Sequence, residues 1–492
     1  MRLQRLVSLF AYCSLSVASA IPQGRAAARA VTPVSSSTSS TPVASSSSSA
    51  SPKAADGSCT NGPLTRQCWG NGFSISADFD TKWPTTGRTR YYDFTLTNVT
   101  EFSPDGGPAR NVFLVNNVFP GPTIYADWGD MISVTLHNQL ASNGTGIHFH
   151  GIRQYNSNSQ DGVPGLTECP LAPGDSRTYA FHATQYGTSW WHSHFSSSYG
   201  EGCLGPIVIN GPATANYDVD LGALPITDWF YTPVSALAAY NAHNFVAPPT
   251  GDNGLINGTM VSSRGGKYYT TTITKGKKYR VRLINTSVDA HFMVSLDSHV
   301  FQVITSDFVP IKPYYANWIF LGIGQRYDIV VSANQTVGNY WFRAEVQDQA
   351  GCGSIATNGN IKSIFSYVGA GSGNPTSSAV SYTQRCTDET GLTPFWNSFV
   401  PSGPLTSTEL DVSIAAGVDT VGDYVVTWGV NLSALSVQWE KPIREYVSEG
   451  NTSYPHSENL ISLPNAGQWY YWIIQEVGGT PFEVAVPHPI HL

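Results

Sequence analysis

The sequence predicts an all-β protein built from sandwich or barrel domains. Three segments, 130–138, 279–285 and 327–331, alternate apolar and polar residues with the two-residue period of a half-buried strand. Apolar residues at helical spacing are scarce over long windows. Turn signals such as Pro120-Gly121-Pro122 recur between the apolar runs, at the spacing expected of strands and hairpins.

A faint internal repeat indicates how many domains there are. The pattern Gly-x4-Val-x-Leu-x-Asn runs from Gly129 to Asn138 and again from Gly276 to Asn285. A degraded third copy is formed by Gly467, Trp472, Ile474 and Glu476. Three copies at large separations predict three related β-sandwich domains. We place their boundaries near Asn210-Gly211-Pro212 and in or shortly after the Gly/Ser/Pro-rich stretch 369–378, which gives domains at 57–211, 212–390 and 391–492, the last incomplete.

The amino-terminal residues predict export. Residues 1–20 contain Arg2 and Arg5, an apolar run and a final Ala18-Ser19-Ala20, the pattern of a secretory signal peptide. Residues 21–56 are rich in Ser and Thr and predict a disordered propeptide or linker. Glycosylation sequons stand at seven positions: Asn98, Asn143, Asn257, Asn285, Asn334, Asn431 and Asn451. We therefore expect a secreted, extracellular glycoprotein.

Composition narrows the function classes. The 492 residues carry a net charge of −8, and only 12% are charged, against about 25% in an average protein. No basic cluster suggests a nucleic-acid partner, and no stretch of about 18 apolar residues suggests a membrane span.

Six cysteines follow Cys13 of the signal, and export makes disulfides expected. Connectivity cannot be deduced from the sequence alone. We favour Cys59 with Cys68 and Cys352 with Cys386, which leaves Cys169 and Cys203. The plainer interpretation of Cys203 is a small buried apolar residue.

Two His-x-His pairs, His148 with His150 and His192 with His194, lie in apolar, strand-like surroundings. Alternate residues of a strand point to one face, so each pair should present converging imidazoles. Imidazole suits copper, zinc, iron and nickel. A third pair of histidines, His488 and His491, stands at the end of the sequence.

Together these motifs resemble those of multicopper oxidases, and among them the secreted laccases of ascomycete fungi. His148-Phe149-His150-Gly151, Trp191-His192-Ser193-His194 and His488-Pro489-Ile490-His491-Leu492 look like the first three of the family's four copper-binding motifs. The segments 117–124, 160–162 and 325–328 resemble the same family. The resemblance runs from about Cys59 to Leu492.

The resemblance implies three Greek-key cupredoxin domains and four copper ions. His148 and His491 would bind the type-2 copper, and His488 would be one ligand of the type-1 copper. The paired type-3 coppers would be held by His150, His192 and His194. Phenols or aromatic amines would donate single electrons, and dioxygen would be reduced to water by a monomeric enzyme. Asp161 would be a carboxylate on the cluster side, although an ordinary turn Asp is equally compatible.

The sequence also departs from the family pattern. The fourth motif, His-Cys-His followed by another His, does not occur, and six of the ten expected histidines are present. We therefore expect a C-terminally truncated chain that is inactive as written. The family further suggests that Cys169 pairs with a cysteine near the carboxyl terminus.

Other interpretations remain. A non-catalytic secreted β-sandwich glycoprotein with a vestigial metal site is the main alternative, whereas no carboxylate stands as an obvious base for a zinc hydrolase. Ferroxidase or ascorbate oxidase activity is a further option within the enzyme class. The loop 262–267 would approach the phenol pocket by resemblance, but it contains no carboxylate. Six further histidines are expected to be polar or core residues, with His243 the best exception: His137, His182, His243, His291, His299 and His456.

Overall fold

The computed structural model describes residues 59–244, 248–347, 351–397, 407–418, 422–431, 433–461 and 468–476, together with Leu463 and Asn465. These residues form sheets joined by loops, with two short α-helices, which confirms the predicted all-β class. Neither described helix is long and apolar enough to cross a bilayer.

A first unit consists of two four-stranded sheets, in the orders β2-β1-β4-β6 and β3-β8-β7-β5. Its apolar core includes Trp128, Phe149 and Trp191, each fully buried. A short 3-10 helix, Asn158–Gln160, follows the fifth strand. The strands are β1 (Thr89–Phe102), β2 (Arg110–Val115), β3 (Ile124–Asp127), β4 (Met131–Asn138), β5 (Ile147–Phe149), β6 (Ser176–His182), β7 (Gly187–Ser193) and β8 (Leu204–Asn210).

A second unit has a six-stranded sheet, β10-β9-β14-β19-β16-β17, and a five-stranded sheet, β13-β21-β20-β15-β18. A large apolar core fills the space between them. Strands β11 and β12 form a separate hairpin. The elements are β9 (Val219–Trp229), α1 (Val234–Asn244), β10 (Asn253–Ile256), β11 (Val261–Ser262), β12 (Gly265–Gly266), β13 (Thr270–Ile273), β14 (Lys278–Asn285), β15 (Phe292–Leu296), β16 (Phe301–Ser306), β17 (Val309–Ala316), β18 (Trp318–Leu321), β19 (Arg326–Ser332), β20 (Asn339–Val346) and β21 (Lys362–Tyr367).

A third unit contains a three-stranded sheet in the order β23-β22-β24. Its elements are β22 (Ser407–Val418), β23 (Tyr424–Val430), α2 (Ile443–Ser448), the 3-10 helix His456–Glu458 and β24 (Tyr471–Glu476). The domain limits proposed from the sequence remain predictions, although no sheet of the described residues mixes strands from two units.

The repeat seen in the sequence has a structural counterpart. Its copies lie on β4, β14 and β24, and each of these strands pairs in parallel with the first strand of its unit: β1, β9 and β22. Asn138 and Asn285 end the first two copies and are fully buried. Each side chain donates to the main-chain oxygen five residues later and accepts from the amide two residues later. The repeat therefore specifies both a strand and the turn that ends it.

Both favoured disulfides are present, Cys59 with Cys68 and Cys352 with Cys386. Cys203 is fully buried in the first core, as predicted for a small apolar residue, and Cys169 is an exposed free thiol. Burial raises the pKa of the Cys203 thiol to about 12, so it stays uncharged at physiological pH.

Candidate metal centre

The two His-x-His pairs meet because the strands that carry them are neighbours. Strand β5 pairs with β7 in antiparallel register, with His148 directly opposite His192. Just past the ends of these strands, the His150 amide donates to the Trp190 oxygen, and the His194 amide to that of Gly146. Alternation then places all four imidazoles on the same face of the pair.

The four rings form one cluster. The His148 ring centroid lies 5.4 Å from that of His192 and 5.4 Å from that of His194. Nδ1 of His150 lies 3.3 Å from Nε2 of His192. One ring nitrogen from each of His148, His150 and His192 lies within 4.8 Å of the others. The sequence prediction that these pairs converge is therefore met in the described structure.

Main-chain oxygens orient two of the rings. Nδ1 of His148 donates to the oxygen of Asp161 over 2.9 Å, and the Asp161 carboxylate lies 3.4 Å from the same nitrogen. Nδ1 of His192 donates to the oxygen of Ser193 over 3.0 Å. Hydrogen bonds of this kind fix the tautomer and leave the Nε2 lone pair for a metal. Asp161 thus contacts His148 as the sequence suggested, through its main chain as well as its side chain.

Local electrostatics keep one ring neutral and favour a charge on another. Burial, reinforced by the neighbouring His148, lowers the pKa of His194 to about 4. Burial also opposes protonation of His148, but the hydrogen bond and charge of Asp161 outweigh it, so the His148 pKa is raised. The His194 ring is therefore neutral at pH 7 and ready to bind a metal, whereas the contact with Asp161 favours the protonated form of His148, which competes with metal binding.

Two glycines allow β5 to lie against the loop that orients His148. At Gly162, where φ is +77°, a Cβ would lie 1.7 Å from the Ile147 oxygen. At Gly146, a Cβ would lie 2.6 Å from Oε1 of Glu168. A side chain at either position would push β5 away from its neighbours, which gives a physical reason for the glycine of the Gln160-Asp161-Gly162 motif.

A buried acidic group behind β5 was missed by the sequence analysis. The Glu168 carboxylate is fully buried, accepts a hydrogen bond from Tyr179 over 2.8 Å and lies 2.9 Å from Nε of Arg177. The Tyr179 hydroxyl in turn accepts from the Ile147 amide. Burial, only partly offset by Arg177 and Tyr179, raises the Glu168 pKa to about 7. Its partners Arg177 and Tyr179 lie on β6, so no local sequence pattern marks Glu168.

Trp190 and Trp191 pack on opposite faces of β7. Trp190 stacks on His192 at 4.1 Å between ring centroids and lies 5.0 Å from His150, while Trp191 is buried in the first core. The two tryptophans thus enclose the strand that carries His192 from both sides. This two-sided packing explains why every residue of β7 is buried and why its sequence shows no alternation.

The other candidate residues are distributed as follows. His488 and His491 lie outside the described residues. His243, the exception singled out in the sequence, lies on α1 and donates from Nδ1 to the Tyr424 oxygen over 2.6 Å. His299 is buried and bonds Asp297 and Tyr367, as expected of a core residue. The hairpin of β11 and β12, which overlaps the loop 262–267, packs against Gly106 of the first unit through Gly265 and Gly266.

The donor set fits a metal that prefers imidazole. Two nitrogens bound to one metal at about 2 Å are separated by about 3 to 3.5 Å, which matches His150 and His192. The four imidazoles of the described cluster suit copper or zinc better than magnesium or calcium, which prefer oxygen ligands.

Comparison with known proteins identifies the family. Family models described as multicopper oxidase match residues 96–214 and 222–370. Laccase-3 of Botryotinia fuckeliana is 68% identical over 382 residues, which are 76% of this chain and 84% of that protein. A laccase of Neurospora crassa is 46% identical over 437 residues, covering 88% and 69% of the two chains. The crystal structure of the Botrytis aclada laccase superposes with a TM-score of 0.79 at 38% identity, covering 86% of this chain and 78% of that one. The chain therefore belongs to the multicopper oxidase family and is an oxidoreductase of the fungal laccase type.

Proposed function

We propose that the histidine cluster is the oxygen-side copper site of a secreted laccase. The carrying observation is the convergence of four imidazoles from two paired strands, with 3.3 Å between nitrogens of His150 and His192. In this assignment His150, His192 and His194 hold part of a type-3 copper pair and His148 binds the type-2 copper. His491 completes the type-2 ligands, and His488 belongs to the type-1 site.

Bound copper would supply single-electron transfer, so that phenols or aromatic amines are oxidised while dioxygen is reduced to water. The chain's own residues bind and orient. Asp161 and the Ser193 oxygen hold the rings of His148 and His192. Trp190 covers His192 and keeps water from that side of the ring.

The position of the third unit supports a site between the first and third domains. The ring centroid of Trp439 lies 5.0 Å from that of Phe195, the residue directly after His194. The amides of Ile443 and Arg444 donate to the oxygens of Gly165 and Leu166 in the loop beyond Asp161. The third unit thus reaches the edge of the cluster, where the family places the remaining ligands.

Residues 1–20 support secretion, and the sequons on exposed loops support glycosylation. Asn143 and Asn334 are exposed, as an acceptor must be. We expect a monomer that acts on small aromatic donors and has no nucleic-acid or membrane partner.

Copper binding by the full chain tests the assignment. Metal content after loading and dialysis should fall sharply in His192→Ala and stay unchanged in His137→Ala, a first-unit histidine that pairs instead with Asp93 and Ser176. Equal copper content in the two variants would refute the cluster. Oxygen uptake with a phenol, measured on the copper-loaded protein, tests the oxidase assignment.

A further inference from the structure

The Gln325-Arg326-Tyr327-Asp328 motif lies at the start of β19, in the second unit, which contributes no histidine to the described cluster. Tyr327 points into the core of its own unit. Arg326 and Asp328 alternate with it and point toward the first unit, where both are buried. Burying an arginine is costly unless its donors find partners, so the contacts of Arg326 show what it holds.

Arg326 touches both segments that carry the histidines. Its Nε donates to the oxygen of Thr188 on β7 over 3.1 Å. Its Nη2 lies 2.7 Å from where a Cβ would stand on Gly151, the residue after His150, whose φ is +69°. A side chain at Gly151 would displace the guanidinium, so glycine and arginine fit each other here.

Arg326 bonds to the part of the β7 edge that β5 does not cover. Strand β5 pairs with β7 as far as Phe149 and Trp191, and the His150 amide then takes the Trp190 oxygen. The chain turns away at Gly151, so the next oxygen on that edge, that of Thr188, receives Arg326 instead of a main-chain amide. The guanidinium therefore supplies the hydrogen bond that a longer β5 would have made to β7.

Neighbouring groups fix Arg326 itself. Nη1 donates to the Gly324 oxygen over 3.0 Å and lies 2.9 Å from the Asp307 carboxylate. Phe308, next to Asp307, is a member of the first unit's core. The Thr188 hydroxyl donates to Asp328 over 2.5 Å. The second unit therefore holds the start of β7 through its main chain and its side chain.

We propose that Arg326 is a positioning residue for the copper site, an inference that rests on the proposed function. It holds the turn after His150 and the strand leading to His192 at a fixed separation. In this way a unit that contributes no histidine to the described cluster sets the spacing between the imidazoles.

Copper(II) titration of the full chain, with electron paramagnetic resonance of the bound ion, tests this inference. Loss of a residue that orients metal ligands weakens metal binding by about 10- to 100-fold. We expect that loss and altered copper hyperfine splitting in Arg326→Met, with a smaller loss in Arg326→Lys. Arg343→Met is the matched control, since Arg343 is a nearly buried second-unit arginine that pairs with Asp297 inside its own unit.

Crystal structures of the metal-free variants give a second readout. The separation of His150 Nδ1 and His192 Nε2 should depart from 3.3 Å in Arg326→Met and remain in Arg343→Met. Unchanged separation and copper affinity in Arg326→Met, or equal losses in both variants, would overturn the proposal. If no variant and not even the parent chain binds copper, the proposed function fails, while the imidazole separation still decides the role of Arg326.

Discussion

Glu168 should make the stability of this protein fall between pH 4.5 and pH 7. Its carboxylate is fully buried behind β5, and its pKa is raised from 4.5 to about 7. The folded protein then holds this proton more tightly than the unfolded chain. The resulting stabilisation is complete below pH 4.5 and is lost as pH rises through about 7. At 1.36 kcal/mol per pKa unit, the loss is about 3 kcal/mol.

The substitution Glu168→Gln removes the titrating group and keeps its shape. The Tyr179 hydroxyl can still donate to the amide oxygen, whereas the contact with Arg177 is lost. We compare the free energy of unfolding of the two metal-free proteins, measured in urea from pH 4.5 to 8. Over this pH range it should fall by about 3 kcal/mol less in the variant than in the parent. Asp228 and Asp289 also have raised pKa values, but they contribute equally to both proteins.

Tyr179→Phe provides a control of opposite sign. The Tyr179 hydrogen bond lowers the Glu168 pKa against the larger effect of burial, so its removal raises that pKa further. Stability should then fall over a wider pH range than in the parent. Parallel pH profiles for the parent and Glu168→Gln would refute the reasoning.

Three more predictions follow from buried contacts. Asn138→Ala leaves the oxygens of Asn143 and Leu171 without their donor and should lower the free energy of unfolding by about 2 to 4 kcal/mol in urea; a loss below about 1 kcal/mol would contradict this role. Peptide mapping should find the Asn285 sequon unglycosylated, because its side chain is fully buried and bonds two main-chain oxygens, and a glycan there would contradict that burial. Gly162→Ala should lower the melting temperature far more than Gly174→Ala, since both have positive φ but only Gly162 would meet another atom, the Ile147 oxygen; equal shifts would mean that the loop gives way.

The sequence predicted those features that depend on local spacing. The two-residue period revealed β4, β14 and β19, and the His-x-His spacing predicted imidazoles on one face. The repeat was recognisable because Asn138 and Asn285 make the same contacts with residues close in sequence.

Features that depend on contacts between distant segments were not predicted. The buried environment of Glu168 depends on Tyr179 and on the close approach of Gly146. The contact of Arg326 with the Thr188 oxygen depends on the point at which β5 turns away from β7. Strand β7 lacks alternation because it is packed on both faces. Helix α1 has no buried residue, so it carries no apolar stripe that a sequence pattern could reveal.

The parallel pairing of each unit's first strand with its repeat strand has a consequence for synthesis on the ribosome. Strand β1 finds its neighbour β4 only after the intervening segment has been translated, and the same holds for β9 with β14 and for β22 with β24. Chains grow at about 5 to 20 residues per second, so each opening strand stays unpaired on that side for seconds. Antiparallel hairpins such as β1 with β2 form sooner and give that strand a temporary partner. Nascent chains halted just before and just after β4 has emerged should therefore differ abruptly in protease resistance.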